Sequence, residues 1–461
     1  MPLKLNVSAV IAGLFYIGLF FIPFNTYEGL GFLGEFKKEA AAVFFLIAFC
    51  FLLLKKKVFI PIKNPIFQIF LLFLIWTIIS VILNIFEVST NNLKGTNGLV
   101  RFIRAFVSVI ISGIVFFLVY FNVFAKNSKE FIFYKVRKIL FYSFVFVVIV
   151  AFFEILIIKL NIVALKPLYH LFNYLPFTVA DLDTNLHRVS SVTYEPPALA
   201  TYLCFLFGWM ASYIITEKGL KKYIPIAVVF ILSFLTGSRS ALVFIFLQAI
   251  LFMFLLLTKT KYNKFFIRIV KYSSIIIFVL LLFKGKTLTE YIFEKATSFS
   301  VEEGDHRVSN KTRLGIQYAS LQVFLESPIY GVGYGQLPYR ARDLYPEWAT
   351  KNNWEFRLRY LNDDYNKFPP SYNLYLRLLA ETGLIGFLIF FIFIVSVIYV
   401  AFIFYKNSTK EEAVFYLVII TTLFGLSINW LKEDTFRTFG FWVTLALFYR
   451  LTQDKYIKVY E

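Results

Sequence analysis

Cysteine and histidine are scarce in this sequence of 461 residues, which contains 2 cysteines and 3 histidines. Cys50 and Cys204 both lie inside apolar runs, which argues against a disulfide framework. The histidines His170, His187 and His306 lack the close spacing of a zinc site. The sequence therefore predicts neither a disulfide scaffold nor a histidine-based zinc centre.

Acidic residues are also few. The sequence contains 28 Asp and Glu residues and 47 Lys and Arg residues, which gives a formal net charge of +19. Such a balance is common among nucleic-acid-binding proteins. Here, however, the basic residues fall between apolar runs rather than along one soluble face. This distribution indicates loops anchored at the cytoplasmic surface of a membrane and argues against a nucleic-acid partner.

Apolar residues are abundant, at 59% of the chain, and phenylalanine alone occurs 59 times. Runs of about twenty apolar residues recur, which is the length that crosses ~30 Å of hydrocarbon as a helix. These runs do not alternate with polar residues as the strands of a membrane barrel would. The predicted fold class is all-α: a polytopic membrane protein with about twelve transmembrane helices and one large periplasmic loop of short helices.

The predicted spans divide the chain into three parts. Residues 1–283 hold spans one to nine, residues 284–371 form the large polar loop, and residues 372–461 hold the last three spans and a tail. When the N-terminus is placed inside, Lys and Arg cluster in every inner loop, so both termini are predicted to be cytoplasmic. The spans are predicted at Val7–Ile22, Ala40–Leu54, Ile66–Phe86, Leu99–Phe121, Ile139–Leu160, Pro197–Ile215, Tyr223–Leu235, Ala241–Leu257, Tyr272–Phe283, Leu384–Tyr405, Ala413–Trp430 and Phe439–Tyr449.

Three arginines stand out on the predicted outer side. Arg239 lies in a tight Gly-Ser turn between two spans, Arg188 lies shortly before a span, and Arg313 lies early in the large loop. A guanidinium offers paired donors of fixed geometry that suit a phosphate or a diphosphate. An interfacial arginine also binds lipid headgroups, so both interpretations stay open at this point.

Two glutamates lie close to predicted membrane entries. Glu195 directly precedes Pro196 at the start of a span, where a carboxylate either complements the helix N-terminus or serves as a base. Glu381 lies in the segment that joins the large loop to the tenth span. A carboxylate near the membrane interface is usually paired with a basic residue or takes part in function.

These pieces together resemble the O-antigen ligase and polymerase superfamily of bacterial envelope enzymes. The family commonly shows a Ser-Arg turn between two central spans, which Ser238-Arg239 matches. It also shows a loop arginine followed by Pro-x-x-Gly-x-Gly, which Arg313 and the stretch from Pro328 to Gly333 match. The Arg188 to Glu195 segment looks like that of polymerase-type members.

The family closes its large loop with His-Asn, nine residues and then Gly-x-x-Gly. The spacing fits here, with Asn373 followed after nine residues by Gly383 and Gly386, but Tyr372 occupies the histidine position. In the ligases that histidine is thought to activate the acceptor hydroxyl, whereas a tyrosine of pKa near 10 is a poor base at neutral pH. Either another group therefore takes the proton, with Glu195 and Glu381 as the candidates, or base catalysis is minor here. The catalytic candidates are Tyr372, Glu195 and Glu381, and the tyrosine favours a polymerase over a ligase.

The resemblance implies a glycosyltransferase of the bacterial inner membrane that polymerises undecaprenyl-diphosphate-linked repeat units into O-antigen or a related surface polysaccharide. Arg188, Arg239 and Arg313 would bind the diphosphate, and neither a cofactor nor a metal is implied. The expected partners are the lipid-linked glycan, an acceptor glycan, membrane lipid and a chain-length regulator protein.

Three alternatives remain. Within the superfamily, a ligase would transfer a finished glycan to lipid A core or to a protein. A transporter or flippase of polysaccharide lipids would place charged residues deep in several spans and would need no large outer loop. A scaffold protein would need no clustered outer arginines.

Overall fold

The protein is described here by a computed structural model that covers residues 6–183, 187–259, 271, 307–365, 367–409 and 411–452. These residues are mainly helical, and they contain one short antiparallel pair of strands, β1 (Asn92–Leu93) and β2 (Thr96–Asn97). The structure confirms the predicted all-α membrane fold class. The ninth predicted span, Tyr272–Phe283, and the start of the predicted large loop, 284–306, lie outside the described residues.

The helices of the described residues follow the predicted spans closely. In the first part of the chain they are α1 (Val7–Phe20), α2 (Ala40–Leu53), α3 (Pro65–Leu83), α4 (Ile85–Thr90), α5 (Gly98–Phe124), α6 (Lys129–Ile158), α7 (Lys166–His170), α8 (Pro196–Thr216), α9 (Ile224–Leu235) and α10 (Arg239–Leu257). They continue as α11 (Arg307–Glu326), α12 (Leu337–Ala341), α13 (Glu347–Thr350), α14 (Leu374–Asn407), α15 (Ala413–Asn429) and α16 (Phe439–Thr452). Each predicted span that falls on described residues coincides with one of these helices.

The outer surfaces of the long helices are apolar. Leu72 on α3 is 50% exposed, Phe246 on α10 is 62% exposed and Tyr399 on α14 is 61% exposed. Such surface would be a liability in water, but it suits contact with lipid acyl chains. The helices α3, α5, α6, α8, α10 and α14 are long and apolar enough to cross a membrane.

The ends of the helices fall into two groups, as alternating spans require. At the ends predicted to be cytoplasmic, the Nζ of Lys126 donates to the Oγ of Ser8 at 3.1 Å, and the Nε of Arg450 donates to the carbonyl of Phe124 at 3.2 Å. The segments that follow α1, α9 and α15 gather at the other end of the bundle, where they meet the large loop around a cavity. The predicted alternation of loops is therefore consistent with the packing.

The described part of the large loop contains one long helix. Helix α11 has 20 residues and is longer than the short helices that the sequence predicted for this loop. Gly315 in α11 lets the side chain of Ala349 in α13 approach closely, since a Cβ on this glycine would overlap that side chain. The loop is also tied to the bundle, because the Nε2 of Gln336 donates to the carbonyl of Gly98 at 2.9 Å.

A glycine-rich turn follows α11 and packs onto α14. Gly331, Gly333 and Gly335 have positive φ values of 71°, 98° and 85°, which glycine adopts without steric cost. The amide of Gly333 donates to the carbonyl of Glu381 at 3.0 Å. Helix α14 bends at Gly383, where φ is 65°, so its apolar portion begins at Leu384 as the sequence predicted.

Candidate functional site

A cavity of about 780 Å³ opens at the loop end of the helix bundle. The segments that line it come from distant parts of the chain. They are the turn after α1, the residues before α2 and α8, the turn before α10, helix α11, the segment after α13 with Glu355 and Tyr360, the segment before α14 with Pro370 and Tyr372, and the connection between α15 and α16. All of these segments are ones that the charge pattern predicts on the outer side of the membrane.

Five of the residues singled out from the sequence line this cavity. They are Arg188, Glu195, Arg239, Arg313 and Tyr372. The other predicted residues, Glu381 and the Asn-Gly-Gly residues of the closing pattern, are absent from the lining of the cavity as the structure describes it. Tertiary folding therefore collects the three arginines, from three separate segments, around one space.

Arg188 is fixed against the turn that carries Arg239. Its Nε donates to the carbonyl of Thr236 at 2.8 Å, and its side chain lies against Gly237, where an added Cβ would be 3.1 Å from the same nitrogen. Gly237 also has a φ of 62°, so the turn depends on glycine both for its backbone and for the space that Arg188 fills. Burial lowers the pKa of Arg188, and the positive charge of Arg313 lowers it further. The negative charges of Asp183 and Glu195 oppose this change.

Arg239 and Arg313 complete the basic side of the cavity. Arg239 begins α10, and its Nη2 donates to the Oδ1 of Asn310 in α11 at 3.1 Å. The guanidinium carbon of Arg313 lies 5.3 Å from the centre of the Tyr372 ring, within the range of a cation–π contact. Arg239 is close enough to Arg188 and Arg313 for their charges to act on it. Like charges held together in this way favour an anionic ligand.

Tyr372 has an unusual backbone conformation. Its φ is 53°, a left-handed conformation, and the Nε2 of Gln317 donates to its carbonyl at 3.1 Å. Its hydroxyl lies 3.0 Å from that of Tyr360. Burial raises the pKa of Tyr372 above its ordinary value, and the Tyr360 hydrogen bond and the Arg313 charge only partly oppose this effect. The hydroxyl is therefore protonated at neutral pH.

Glu381 takes part in a structural ion pair. Its side chain is 1% exposed, and the Nε of Arg377 lies 3.1 Å from its Oε2. Arg377 also donates through Nη1 to the carbonyl of Asp434 at 2.8 Å, which links α14 to the connection between α15 and α16. These contacts satisfy the carboxylate without a role in chemistry, so Glu381 is not included in the mechanism proposed below.

The closing pattern of the large loop organises helix α14. The side-chain oxygen of Asn373 accepts hydrogen bonds from the amides of Tyr375 and Leu376 at 3.0 and 3.1 Å, which caps the helix. Gly383 forms the bend, and Gly386 admits the indole of Trp76, since a Cβ there would be 2.6 Å from Trp76 Cδ1. Along α14, the pattern therefore provides a cap at Asn373, a bend at Gly383 and a close contact with another helix at Gly386.

The cavity also has an acidic part, which the sequence analysis did not identify and to which Lys432 and Arg437 contribute positive charge. Glu39 lies just before α2, and Glu433 lies in the connection between α15 and α16. Thr201 donates its hydroxyl to the Glu433 carboxylate. Burial raises the pKa of Glu39, with Glu433 adding to this effect and Arg437 opposing it. The available signal was the run Lys432-Glu433-Asp434, three charges in a short connection between two apolar helices.

The comparison with known families finds a match that lies largely in the second half of the chain. A family model described as O-antigen ligase matches residues 224–391. The matched stretch takes in Arg239, Arg313 and Tyr372, while Arg188 and Glu195 precede it.

The match supports membership of the O-antigen ligase and polymerase superfamily. Together with the six long apolar helices, it supports a multi-pass membrane glycosyltransferase. The same family implies lipid-linked glycan and acceptor substrates in a membrane. A search of curated proteins finds no match.

Proposed function

We propose that this protein is an O-antigen polymerase-type glycosyltransferase that joins lipid-diphosphate-linked oligosaccharide repeat units at the periplasmic face of a bacterial inner membrane. The observation that carries the proposal is the convergence of Arg188, Arg239 and Arg313 in one cavity. Three guanidinium groups from separate segments suit a diphosphate, whose two phosphates offer several oxygen acceptors.

The arginine side of the cavity is the donor site. The undecaprenyl chain would remain in hydrocarbon beside the apolar helices, while the diphosphate reaches the arginines at the helix ends. As the bond between the anomeric carbon and the diphosphate breaks, the leaving group takes the electron pair and gains negative charge. Donors that meet this charge in a partly buried site typically contribute about 3 to 4 kcal/mol each to transition-state stabilisation.

The acidic part of the cavity is the acceptor site. An acceptor sugar hydroxyl attacks the anomeric carbon, a new glycosidic bond forms, and the hydroxyl proton passes to a base. Glu195 is exposed and lines the cavity, and its charge acts on Arg188. We assign Glu195 as the proton acceptor, because Tyr372 holds its proton and Glu381 is engaged with Arg377.

Tyr372 supports a polymerase rather than a ligase. It occupies the position at which the ligases carry a histidine, so the acceptor is activated differently here. The ligase remains the second candidate, supported by the domain match itself. A transporter is less well supported, because the charged cavity lies at the ends of the helices and is continuous with the large loop.

Glycan profiling of a strain that lacks this gene, complemented with single variants, tests the proposal. Arg239→Ala and Arg313→Ala are expected to leave one repeat unit attached and no longer chains, at unchanged protein level. Arg340→Ala is the matched control, because Arg340 lies on the loop surface and pairs with Glu87. Full-length polymer in both cavity variants would overturn the proposed site. Loss of attachment, with long chains still on the carrier lipid, would indicate the ligase instead.

A further inference from the structure

A buried carboxyl group lies inside the apolar helix α6 and takes no part in the mechanism above. Glu154 is 0% exposed and does not belong to the lining of the cavity. A charged side chain within a membrane helix is costly, and it is retained where it has a defined partner or function. Its surroundings therefore indicate what it does.

Three donors converge on the Glu154 carboxyl oxygens. The backbone amide of Ser191 donates to Oε2 at 2.7 Å. The hydroxyls of Ser190 and Tyr169 donate to Oε1 at 3.3 and 3.2 Å. Ser191 has a φ of 55°, a left-handed conformation that is unfavourable for serine unless the surroundings hold it. Glu154 is thus the principal acceptor for a strained turn.

The turn at Ser190 and Ser191 lies between Arg188 and Glu195 in the chain, and helix α6 holds it at a second point. The hydroxyl of Ser191 donates to the carbonyl of Val147, two turns before Glu154 on the same helix, at 2.8 Å. A rigid helix therefore fixes the middle of the segment whose two ends carry the donor-binding arginine and the proposed base.

The same segment supports the turn that carries Arg239. The amide of Val189 donates to the carbonyl of Leu235 at 3.2 Å, and the Nε of Arg188 donates to the carbonyl of Thr236 at 2.8 Å. A displacement of the turn at Ser191 would therefore move Arg188 and loosen its contact with the backbone before Arg239.

We propose that Glu154 is a positioning residue that holds the segment from Arg188 to Glu195 in its binding geometry. This inference rests on the proposed function of the cavity. A glutamine at this position has one oxygen where the glutamate has two, whereas donors approach both oxygens. Glu154→Gln can keep its one oxygen for the Ser191 amide, but its NH2 group then faces the Ser190 and Tyr169 hydroxyls, which must reverse from donors to acceptors. An amide also forms weaker hydrogen bonds than a carboxylate, so the variant holds the turn less firmly.

The test measures binding of farnesyl diphosphate to the purified full-length protein in detergent, with farnesol as the phosphate-free control. Glu154→Gln is expected to weaken binding on the order of tenfold, the scale of one hydrogen bond to a charged group. A double-mutant cycle with Arg188→Ala measures the coupling between the two substitutions in diphosphate binding, and general destabilisation of the protein would not produce such coupling. If Glu154 acts through Arg188, then Glu154→Gln has little further effect on binding in the Arg188→Ala protein.

The control variant is Asn122→Ala, which removes another buried polar group with several partners. The Asn122 side chain bonds to the backbone amide and carbonyl of Phe59, on the far side of the bundle from the cavity. It is expected to lower thermal stability without a selective effect on farnesyl diphosphate binding. If Glu154→Gln fails to accumulate, the double variant Tyr169→Phe with Ser190→Ala removes two of the donors to Glu154 and is measured in the same binding assay.

The two proposals fail in different ways. Unchanged diphosphate binding by Arg313→Ala would overturn the proposed donor site. Loss of binding in Arg313→Ala, together with full binding in Glu154→Gln, would overturn the positioning role alone. An additive cycle, in which Glu154→Gln weakens binding equally with and without Arg188, would also overturn it.

Discussion

Gly331 and Gly383 lie so close together that a Cβ on Gly331 would come within 2.6 Å of the Gly383 amide nitrogen. Both glycines have positive φ, at 71° and 65°. The amide of Val332 donates to the carbonyl of Ala380 at 3.0 Å, and the amide of Leu384 donates to the carbonyl of Pro328 at 2.8 Å. The Pro-x-x-Gly-x-Gly and Gly-x-x-Gly patterns are therefore the two halves of one backbone contact between the large loop and α14.

Substitution of either glycine in this contact should destabilise the protein. Gly331→Ala and Gly383→Ala each place a Cβ against backbone atoms that cannot move aside, and each requires a residue other than glycine at positive φ. The backbone conformation alone costs roughly 1 to 3 kcal/mol. Thermal unfolding of the detergent-solubilised protein measures the effect.

Gly13 in α1 provides the matched control, because an added Cβ there meets nothing within 4 Å. Gly13→Ala should be neutral or slightly stabilising, since alanine favours a helix by about 1 kcal/mol over glycine. Wild-type stability in Gly331→Ala would show that the loop and α14 do not form this contact.

Arg239→Lys should impair polymer formation even though it keeps the positive charge. Lysine cannot make the paired contact of a guanidinium, nor can it bind Asn310 and a phosphate in the same geometry. We expect the polymerisation rate to fall on the order of tenfold to a hundredfold. Arg340→Lys on the loop surface is the control, and equal activity of the two lysine variants would argue against a bidentate contact.

Tyr372→Phe should retain most of the activity. The raised pKa keeps the hydroxyl protonated, so it cannot accept a proton at neutral pH, and its removal costs the hydrogen bond to Tyr360, about 1 kcal/mol. Because the pKa lies above 10, the rate should show no inflection from this group between about pH 6 and 9. Polymer profiles across this pH range measure the outcome. Complete loss of activity in Tyr372→Phe would show that the hydroxyl takes a direct part in catalysis.

Glu39→Gln should change how stability depends on pH. Burial raises the pKa of Glu39 above its ordinary value of 4.5, so the folded state holds this proton more tightly than the unfolded state. This contribution to stability is complete below pH 4.5 and is lost as the pH rises through the raised pKa. The variant should therefore gain stability relative to the wild-type protein as the pH increases from 4.5.

The measurement for Glu39→Gln is the thermal unfolding midpoint of both proteins in the same detergent at a series of pH values. Glu347→Gln serves as the control, since Glu347 lies exposed on the loop and pairs with Lys351. A constant difference between the Glu39→Gln and wild-type midpoints across the series would contradict the assignment.

Much of the fold could be predicted from the sequence because membrane helices are specified locally. A run of apolar residues must satisfy its backbone within itself, so each span is visible without knowledge of its neighbours. The bend at Gly383 was likewise visible as the start of the span at Leu384. The length of α11 was underestimated, because its packing against Ala349 in α13 is a tertiary contact.

The candidate site could be predicted in part. Arg239 and Arg313 were identified by residue type and by position next to apolar runs, both of which are local properties. Glu39 and Glu433 were missed because single acidic residues beside a helix usually serve only as caps or surface charges. The ion pair of Glu381 with Arg377 was not predicted, because it forms only once the helix places the two side chains one turn apart.

By itself the sequence determined that the chain enters a membrane as a series of helices, which charges lie at the ends of those helices, and which of them form the family's patterns. These properties depend on residue type and on spacing along the chain. Only the tertiary structure decided that Arg188, Arg239 and Arg313 line one cavity together with Glu39 and Glu433, and that Glu154 accepts a hydrogen bond from Ser191. Distances between residues far apart in sequence are set by how the helices pack, and that packing has no local signature.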